Sequence, residues 1–173
     1  MKTTTGKAQG PGQEFLEVSR LFLREDFMPR LLHCVNQLSD AELWWRPNET
    51  SNSIGNLILH LAGNVRQWIV EALGGIPSHR NRDAEFAARG PISKAELAAT
   101  IESAVNDVVS TLEDFDANRL LERRRIQAYD VSALQAAYHV VEHFSYHLGQ
   151  IIYVYKLRTG KDPRFYEAVS LKK

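Results

Sequence analysis

Residues 132–160, SALQAAYHVVEHFSYHLGQIIYVYKLRTG, form the longest helical pattern in the chain. Ser132 and Gln135 match a capping box that opens a helix, and apolar residues then recur at helical spacing as far as Gly160. Gly149 lies within this pattern without forcing a stop. The stretch predicts one helix of about 27 residues, which would be roughly 40 Å long.

Three further helices are predicted upstream of this stretch. They cover residues 13–38, with a kink expected at Pro29, residues 53–73, which end before Gly74-Gly75, and residues 93–115. No segment between them shows the alternating pattern of a strand. We therefore predict an all-α fold, a four-helix bundle, whose topology stays open because each connection has about 15 residues or more.

The composition predicts a single soluble globular domain. The 173 residues carry 21 Lys plus Arg and 21 Asp plus Glu, so no net field attracts nucleic acid or an anionic membrane. No apolar run reaches the roughly 18 residues of a membrane span. We expect residues 1–12 to be a disordered tail, residues 13–173 to be the domain, and the location to be cytoplasmic, because the tail lacks the apolar core of a secretory signal.

Several polar features have an ordinary structural interpretation. Cys34, the only cysteine, lies on the apolar face of the first helix and is expected to be a buried structural thiol. Residues 123–125, three consecutive arginines, are expected in a solvated loop. The link at residues 80–83, Arg-Asn-Arg-Asp, is either a lid over a site or an ion-paired surface loop, and we favour the loop.

Histidines are the feature of the last helix that requires an explanation. Three of the six in the chain follow one another at steps of four residues, His139, His143 and His147. The last two share a face with Gln150 among apolar neighbours, and a pair spaced i, i+4 can reach one metal ion. Alternatively, the rings are surface groups, or core groups hydrogen-bonded to Gln150, Asn64 and water without a metal.

A third metal ligand would have to come from another helix. His60 on the second helix groups with Asn64 and Gln67 at the edge of the apolar face, so it is either a ligand or a solvated side chain. We expect His139 to support the site rather than to bind the ion. His33 projects away from the core face of its helix and is expected to be solvated.

Four segments closely resemble motifs of the DinB-like superfamily. They are residues 53–64 (SIGNLILHLAGN), residues 142–151 (EHFSYHLGQI), residues 79–86 (HRNRDAEF) and residues 43–47 (LWWRP). The first two correspond to the anchor motifs of the superfamily, and the last two to one of its branches. The resemblance covers about residues 15–157.

This resemblance implies a left-handed four-helix bundle, often a homodimer, with one divalent metal ion bound by three histidines. The ligands of the superfamily match His60, His143 and His147, and the glutamine after its last ligand matches Gln150. Related proteins of known activity are bacillithiol-dependent and mycothiol-dependent S-transferases and a thiol-dependent isomerase. Many members have no assigned reaction, and the chain shows no separate signature for a thiol cofactor.

Three neutral imidazoles leave a fourth position on the ion open for water, a thiol or a substrate oxygen. We expect Zn or Ni, and a low-molecular-weight thiol that the ion activates for attack on an electrophilic small molecule, as in a thiol S-transferase. Asn64, Gln67 and Gln150 would orient ligands or substrate. The alternative is a non-enzymatic stress or ligand-binding protein, and no catalytic side chain is identified.

Overall fold

The computed structural model describes residues 10–167 of the protein. Within this range the chain forms six helices, a short 3₁₀ turn at Ala117–Arg119 and one β-hairpin. In chain order they are α1 (Pro11–Leu21, the π-helical Phe22–Phe27 and Met28–Asn36), α2 (Asp40–Leu43), α3 (Ile54–Val65 and the π-helical Arg66–Glu71), α4 (Arg82–Ala87), α5 (Lys94–Asp114), β1 (Arg123–Ile126), β2 (Tyr129–Ser132) and α6 (Ala133–Thr159).

The four long helices α1, α3, α5 and α6 pack as a bundle around one apolar core, which confirms the predicted all-α class. Helix α1 packs mainly on α5 and α6, and α3 packs on the same two helices, so α1 and α3 occupy opposite corners. The long connections allow this order, and it makes α3 and α6 neighbours. Among the described residues, no helix is both long and apolar enough to cross a membrane.

Capping residues set the helix boundaries that the sequence predicts. Complete capping boxes precede α3, α5 and α6, with Ser53, Ser93 and Ser132 as the N-caps. Helix α6 ends at Thr159, and Gly160, with a φ of 66°, provides the left-handed C-cap. Helix α1 begins at Pro11, two residues earlier than expected, and residues 1–9 of the predicted tail lie outside the described residues.

Helix α1 contains a π-helical segment just before the proline at which a kink is predicted. In a regular α-helix the ring of Pro29 would press against the carbonyl group of Glu25. Glu25 lies in the π-helical segment, and the N–H of Met28 bonds five residues back to the carbonyl of Leu23. The wider turn therefore absorbs the proline within a continuous helix.

The β-hairpin corrects the prediction that the chain has no strand and that residues 123–125 form a loop. Strand β1 pairs with β2 in antiparallel register, with Ile126 opposite Tyr129. Arg123 and Arg125 remain exposed, as expected, whereas Ile126 is buried. Four-residue strands with arginines on the solvent side leave almost no apolar alternation for sequence patterns to detect.

Two predictions outside the candidate site are confirmed. His33 is exposed and lies edge-on to Tyr155 and Phe165. Cys34 is fully buried, and burial raises the pKa of its thiol to about 12. At such a pKa the thiol stays protonated at neutral pH, so Cys34 acts as a packing group.

Candidate metal centre

Three histidine rings converge where α3 meets α6. His60 of α3 is buried, and His143 and His147 of α6 are partly buried. The Nε2 atom of His143 lies 3.2 Å from Nε2 of His60 and 3.2 Å from Nε2 of His147. Nitrogens that bind one Zn²⁺ tetrahedrally are about 3.3 Å apart. The spacing of the three rings therefore fits one shared metal ion.

The outer nitrogen of two of these rings faces an oxygen that only accepts hydrogen bonds. The Nδ1 of His60 lies 3.0 Å from Oε2 of Glu85, and the Nδ1 of His147 lies 2.9 Å from Oε1 of Gln150. A carboxylate or amide oxygen requires the proton to be on Nδ1. Both Nε2 atoms then carry the lone pair that a metal ion needs, and they direct it toward the same position.

Glu85 is itself held by a guanidinium group. Arg80 donates from Nε to Oε1 over 2.7 Å and from Nη2 to Oε2 over 2.8 Å, and both side chains are almost completely buried. Nη2 also lies 3.1 Å from Nδ1 of His60, but its bond to the carboxylate is shorter. Burial alone would raise the pKa of Glu85, but hydrogen bonds from Arg80 and His60 outweigh it and lower the pKa, so the group is ionised.

Gly63 makes room for this buried ion pair beside α3. A Cβ atom at residue 63 would overlap the carboxylate of Glu85 and would lie 3.0 Å from Nε of Arg80. Gly55, two turns earlier, gives the same kind of access to the indole of Trp44. The two glycines of the segment SIGNLILHLAGN therefore leave room beside α3 for the side chains of Trp44 and Glu85.

Asn56 fixes the chain segment that carries Glu85. Its Nδ2 donates to the backbone carbonyls of Glu85, at 2.8 Å, and Ala88, at 3.0 Å. Its Oδ1 accepts a bond of 2.6 Å from Arg46, which belongs to the LWWRP segment. The motif residues thus hold the link in place next to His60.

The structure corrects the preferred interpretation of residues 80–83 as an ion-paired surface loop. Arg80 is ion-paired, but with Glu85 and beneath the surface, whereas Arg82 and Asp83 are exposed. Sequence analysis missed Glu85 as a site residue. The only available signal was a carboxylate five residues after Arg80, within the segment that resembles the superfamily.

The remaining polar residues of the predicted site hold other side chains in place. Gln67 accepts bonds from Arg80, at 3.1 Å, and from Gln127, at 2.7 Å. Asn64 is buried, and its Nδ2 lies 3.5 Å from Nε2 of His139. The ring of His139 packs on Trp68 with centroids 4.1 Å apart and is not one of the three converging rings. These contacts link the site to the hairpin and to α6.

Burial keeps the imidazoles of α6 neutral. Burial, followed by the charges of His147 and His60, lowers the pKa of His143 to about 3. Burial also lowers the pKa of His147 and of His139. Metal ions bind the neutral form of imidazole, so these rings are ready to bind without losing a proton at neutral pH.

Comparisons with known proteins agree with this fold. The family model described as "Protein of unknown function (DUF1572)" matches residues 11–171. A conserved protein from Enterococcus faecalis aligns with a TM-score of 0.68 and 18% identity, over 84% of this chain and 97% of that one. A DinB-like protein from Bacillus cereus aligns with a TM-score of 0.65 and 14% identity, over 88% and 95% of the two chains.

At these identities the solved structures show a common fold and nothing finer. No curated protein matches the chain. The family match covers almost the whole sequence, and both structural relatives align over most of their length. The chain therefore belongs to the DUF1572 family and has the fold of the DinB-like superfamily.

Proposed function

We propose that His60, His143 and His147 bind one divalent metal ion, Zn or Ni, and that the protein is a metal-dependent thiol S-transferase. The convergence of the three Nε2 atoms supports this proposal, because Nδ1 of both His60 and His147 faces an acceptor. A divalent ion bound by three neutral imidazoles would lower the pKa of a thiol in its open position and supply a nucleophile near neutral pH.

The side chains around the histidines would position the ligands and exclude water. Glu85 and Gln150 set the tautomers of His60 and His147, and Arg80 neutralises the carboxylate so that the site gains no net negative charge. A cavity of about 500 Å³ is lined by His60 and His143, which gives a small molecule access to the site. A pocket of this volume is typical for a small-molecule ligand.

The reaction is a substitution at an electrophilic carbon. The thiol proton would pass to solvent, and the sulfur would form a new bond to that carbon. The leaving group would depart with the electron pair of the bond that breaks. The protein would contribute the position of the two reactants, which alone can account for several kcal/mol of a barrier.

Metal analysis tests the first part of the proposal. Protein purified without a histidine tag is expected to contain about one Zn or Ni per chain, and the double variant His143→Ala/His147→Ala is expected to contain none. His33→Ala with His79→Ala is the matched control, since both histidines are exposed. A parent protein without metal after incubation with Zn²⁺ and Ni²⁺ would contradict the proposal.

An assay of thiol conjugation tests the second part. Metal-loaded protein is incubated with cysteine, coenzyme A or glutathione and with 1-chloro-2,4-dinitrobenzene, and the absorbance of the thioether is followed. We expect a rate above that of the double variant with at least one thiol. Metal binding without any conjugate across a broad panel would favour the alternative, a non-enzymatic ligand-binding protein.

A further inference from the structure

We infer that the cavity beside the three histidines binds an anionic small molecule that carries a flat ring, with Arg82 as the contact for its negative charge. The inference rests on the proposed function, because it names the chemical class of the molecule that would meet the metal site. It assigns the ring to Trp68 and Tyr129, which the proposed reaction does not use.

The cavity joins four parts of the fold. Its lining includes Trp68 of α3, Arg82 of α4, Tyr129 of β2 and His139 of α6, together with His60 and His143. The candidate metal site therefore borders the same space of about 500 Å³. Because the lining comes from separate elements, each contributes a different kind of group to a bound molecule.

The charges around the cavity favour an anion. No Asp or Glu is among the described residues that line it. Arg82 is exposed, its guanidinium lies 4.9 Å from the centre of the Phe86 ring, and no carboxylate in residues 10–167 forms an ion pair with it. The ring of Phe86 packs in turn on His60, with centroids 4.6 Å apart. An arginine held in this way beside a metal site is suited to a carboxylate or phosphate.

Two aromatic side chains favour a flat ring. The rings of Trp68 and Tyr129 have centroids 6.1 Å apart and are tilted by 40°. Tyr129 is 58% exposed although it borders a cavity, so a bound molecule could cover much of its surface. Aromatic groups prefer offset or tilted contacts at such distances, and a planar ligand provides them.

Unpaired polar atoms occur in three residues along the same cavity. Oδ1 of Asn64, Nε1 of Trp68 and Nδ1 of His143 are buried and have no hydrogen-bond partner among the described residues. Buried polar atoms are almost always paired in folded proteins. Their concentration around one cavity is typical of a site that a polar ligand or its bound water completes.

Binding of a matched pair of probes tests the inference. We propose calorimetry with 2-naphthoate and with the neutral 2-naphthamide, which has nearly the same shape. The carboxylate is expected to bind about tenfold more tightly or better. Arg82→Gln is expected to abolish this preference. Arg24→Gln, at an exposed position on α1 that does not line the cavity, is expected to retain it. Equal binding of the two probes, or an unchanged preference in Arg82→Gln, would overturn the inference.

The aromatic contact is tested separately. Tyr129→Ser is expected to weaken both probes several-fold and to a similar extent, because it removes ring contact and leaves the charge of Arg82 in place. Circular dichroism and metal content show whether each variant is folded. Unchanged affinity of both probes for folded Tyr129→Ser would overturn the assignment of the ring.

Repeating the titrations with metal-stripped protein separates this inference from the proposed function. A preference for naphthoate that requires Arg82 but not the metal supports the inference, even if metal analysis contradicts the proposed function. A preference that disappears with the metal and ignores Arg82→Gln would place the carboxylate on the ion and overturn the inference. The proposed function would then stand on its own metal and conjugation data.

Discussion

The two helices that supply the three histidines each orient one ring, and they do so by different means. On α3, the Nδ1 of His60 meets the ionised carboxylate of Glu85, which comes from a separate link and is paired with Arg80. On α6, the Nδ1 of His147 meets the neutral amide of Gln150, one turn further along the same helix. One orienting group is charged and distant in sequence, and the other is neutral and local.

This difference shows how tightly each side of the site is tied to folding. A buried ion pair is costly to break, because removal of one partner leaves an uncompensated charge in the interior. A neutral side chain that is partly exposed can be replaced with little loss of stability. We therefore expect the α3 side to link metal binding to the stability of the whole fold, and the α6 side to affect metal binding alone.

Glu85→Ala should have the largest effect on stability. The substitution leaves the charge of Arg80 buried without a carboxylate to compensate it, and we expect the free energy of unfolding to fall by about 3–5 kcal/mol. Urea unfolding of metal-free protein measures this loss. Glu25→Ala, which removes the exposed partner of Arg24, is the control and should cost less than about 1 kcal/mol. Similar losses in the two variants would show that the buried Arg80–Glu85 pair contributes no more to the free energy of unfolding than an exposed pair does.

Gly63→Ala tests the same side through its packing. The new Cβ would overlap the carboxylate of Glu85, so the ion pair must move, at a cost of about 1–3 kcal/mol. Gly149→Ala on α6 is the matched control, since a Cβ there meets no atom within 4 Å and should stabilise the helix by up to about 1 kcal/mol. Urea unfolding and metal titration of both variants measure the contrast, and equal effects would contradict it.

Acid should destabilise the metal-free protein through His143, which lies between the two oriented rings. Burial lowers its pKa to about 3 from an unfolded value of about 6.5. The unfolded chain therefore takes up the proton first, so the contribution of this ring is complete above about pH 6.5 and is lost as the pH falls toward 3. We expect a loss on the order of 1–2 kcal/mol, discounted for partial solvent access.

The window between pH 6.5 and 5 isolates the histidines, because Glu85 has a lowered pKa and stays ionised there. The titratable or charged side chains that act on His143 are those of His60, His147, His139 and Arg80. Thermal unfolding of chelator-treated protein measures the slope of stability against pH. His143→Gln removes one titrating ring and should flatten that slope, and an unchanged slope would contradict the assignment.

The sequence predicted those features of the fold and of the site that depend on contacts between residues close together in the chain. The capping boxes at Ser93 and Ser132 act within one turn, so the helix starts were predictable. His143, His147 and Gln150 share one helix, and their spacing alone places them on one face. The assignment of His60 as a ligand depended on the family resemblance, because helical periodicity alone left its side chain either solvent-exposed or buried.

The contacts that escaped prediction join distant segments. The link that carries Glu85 has no periodicity, and Asp83 could have been the buried acid just as well. The choice depends on how the link docks against Gly63 and Asn56. The hairpin was not predicted because its strands have four residues each, and β1 exposes Arg123 and Arg125. Long-range docking of short polar segments leaves no repeated pattern in a sequence.

Gln150 gives the smallest expected effect and the sharpest test of the comparison. Gln150→Ala removes the acceptor for Nδ1 of His147, and loss of such an orienting group typically weakens metal binding about tenfold. Gln150→Glu would instead give α6 a charged acceptor like that on α3, though without an arginine beside it. Because residue 150 is only partly buried, solvent can stabilise the new charge, and the free energy of unfolding should change by less than about 0.5 kcal/mol.

A carboxylate at position 150 makes the imidazole of His147 a stronger ligand, so metal affinity should rise a few-fold in a competition titration with a chelator. Gln150→Ala measured beside it gives the scale of the effect. A fall in affinity for Gln150→Glu would mean that a second carboxylate is unfavourable where Glu85 already serves His60. Metal binding would then require a neutral acceptor at position 150. The site would need one charged acceptor, Glu85 on His60, and one neutral acceptor, Gln150 on His147.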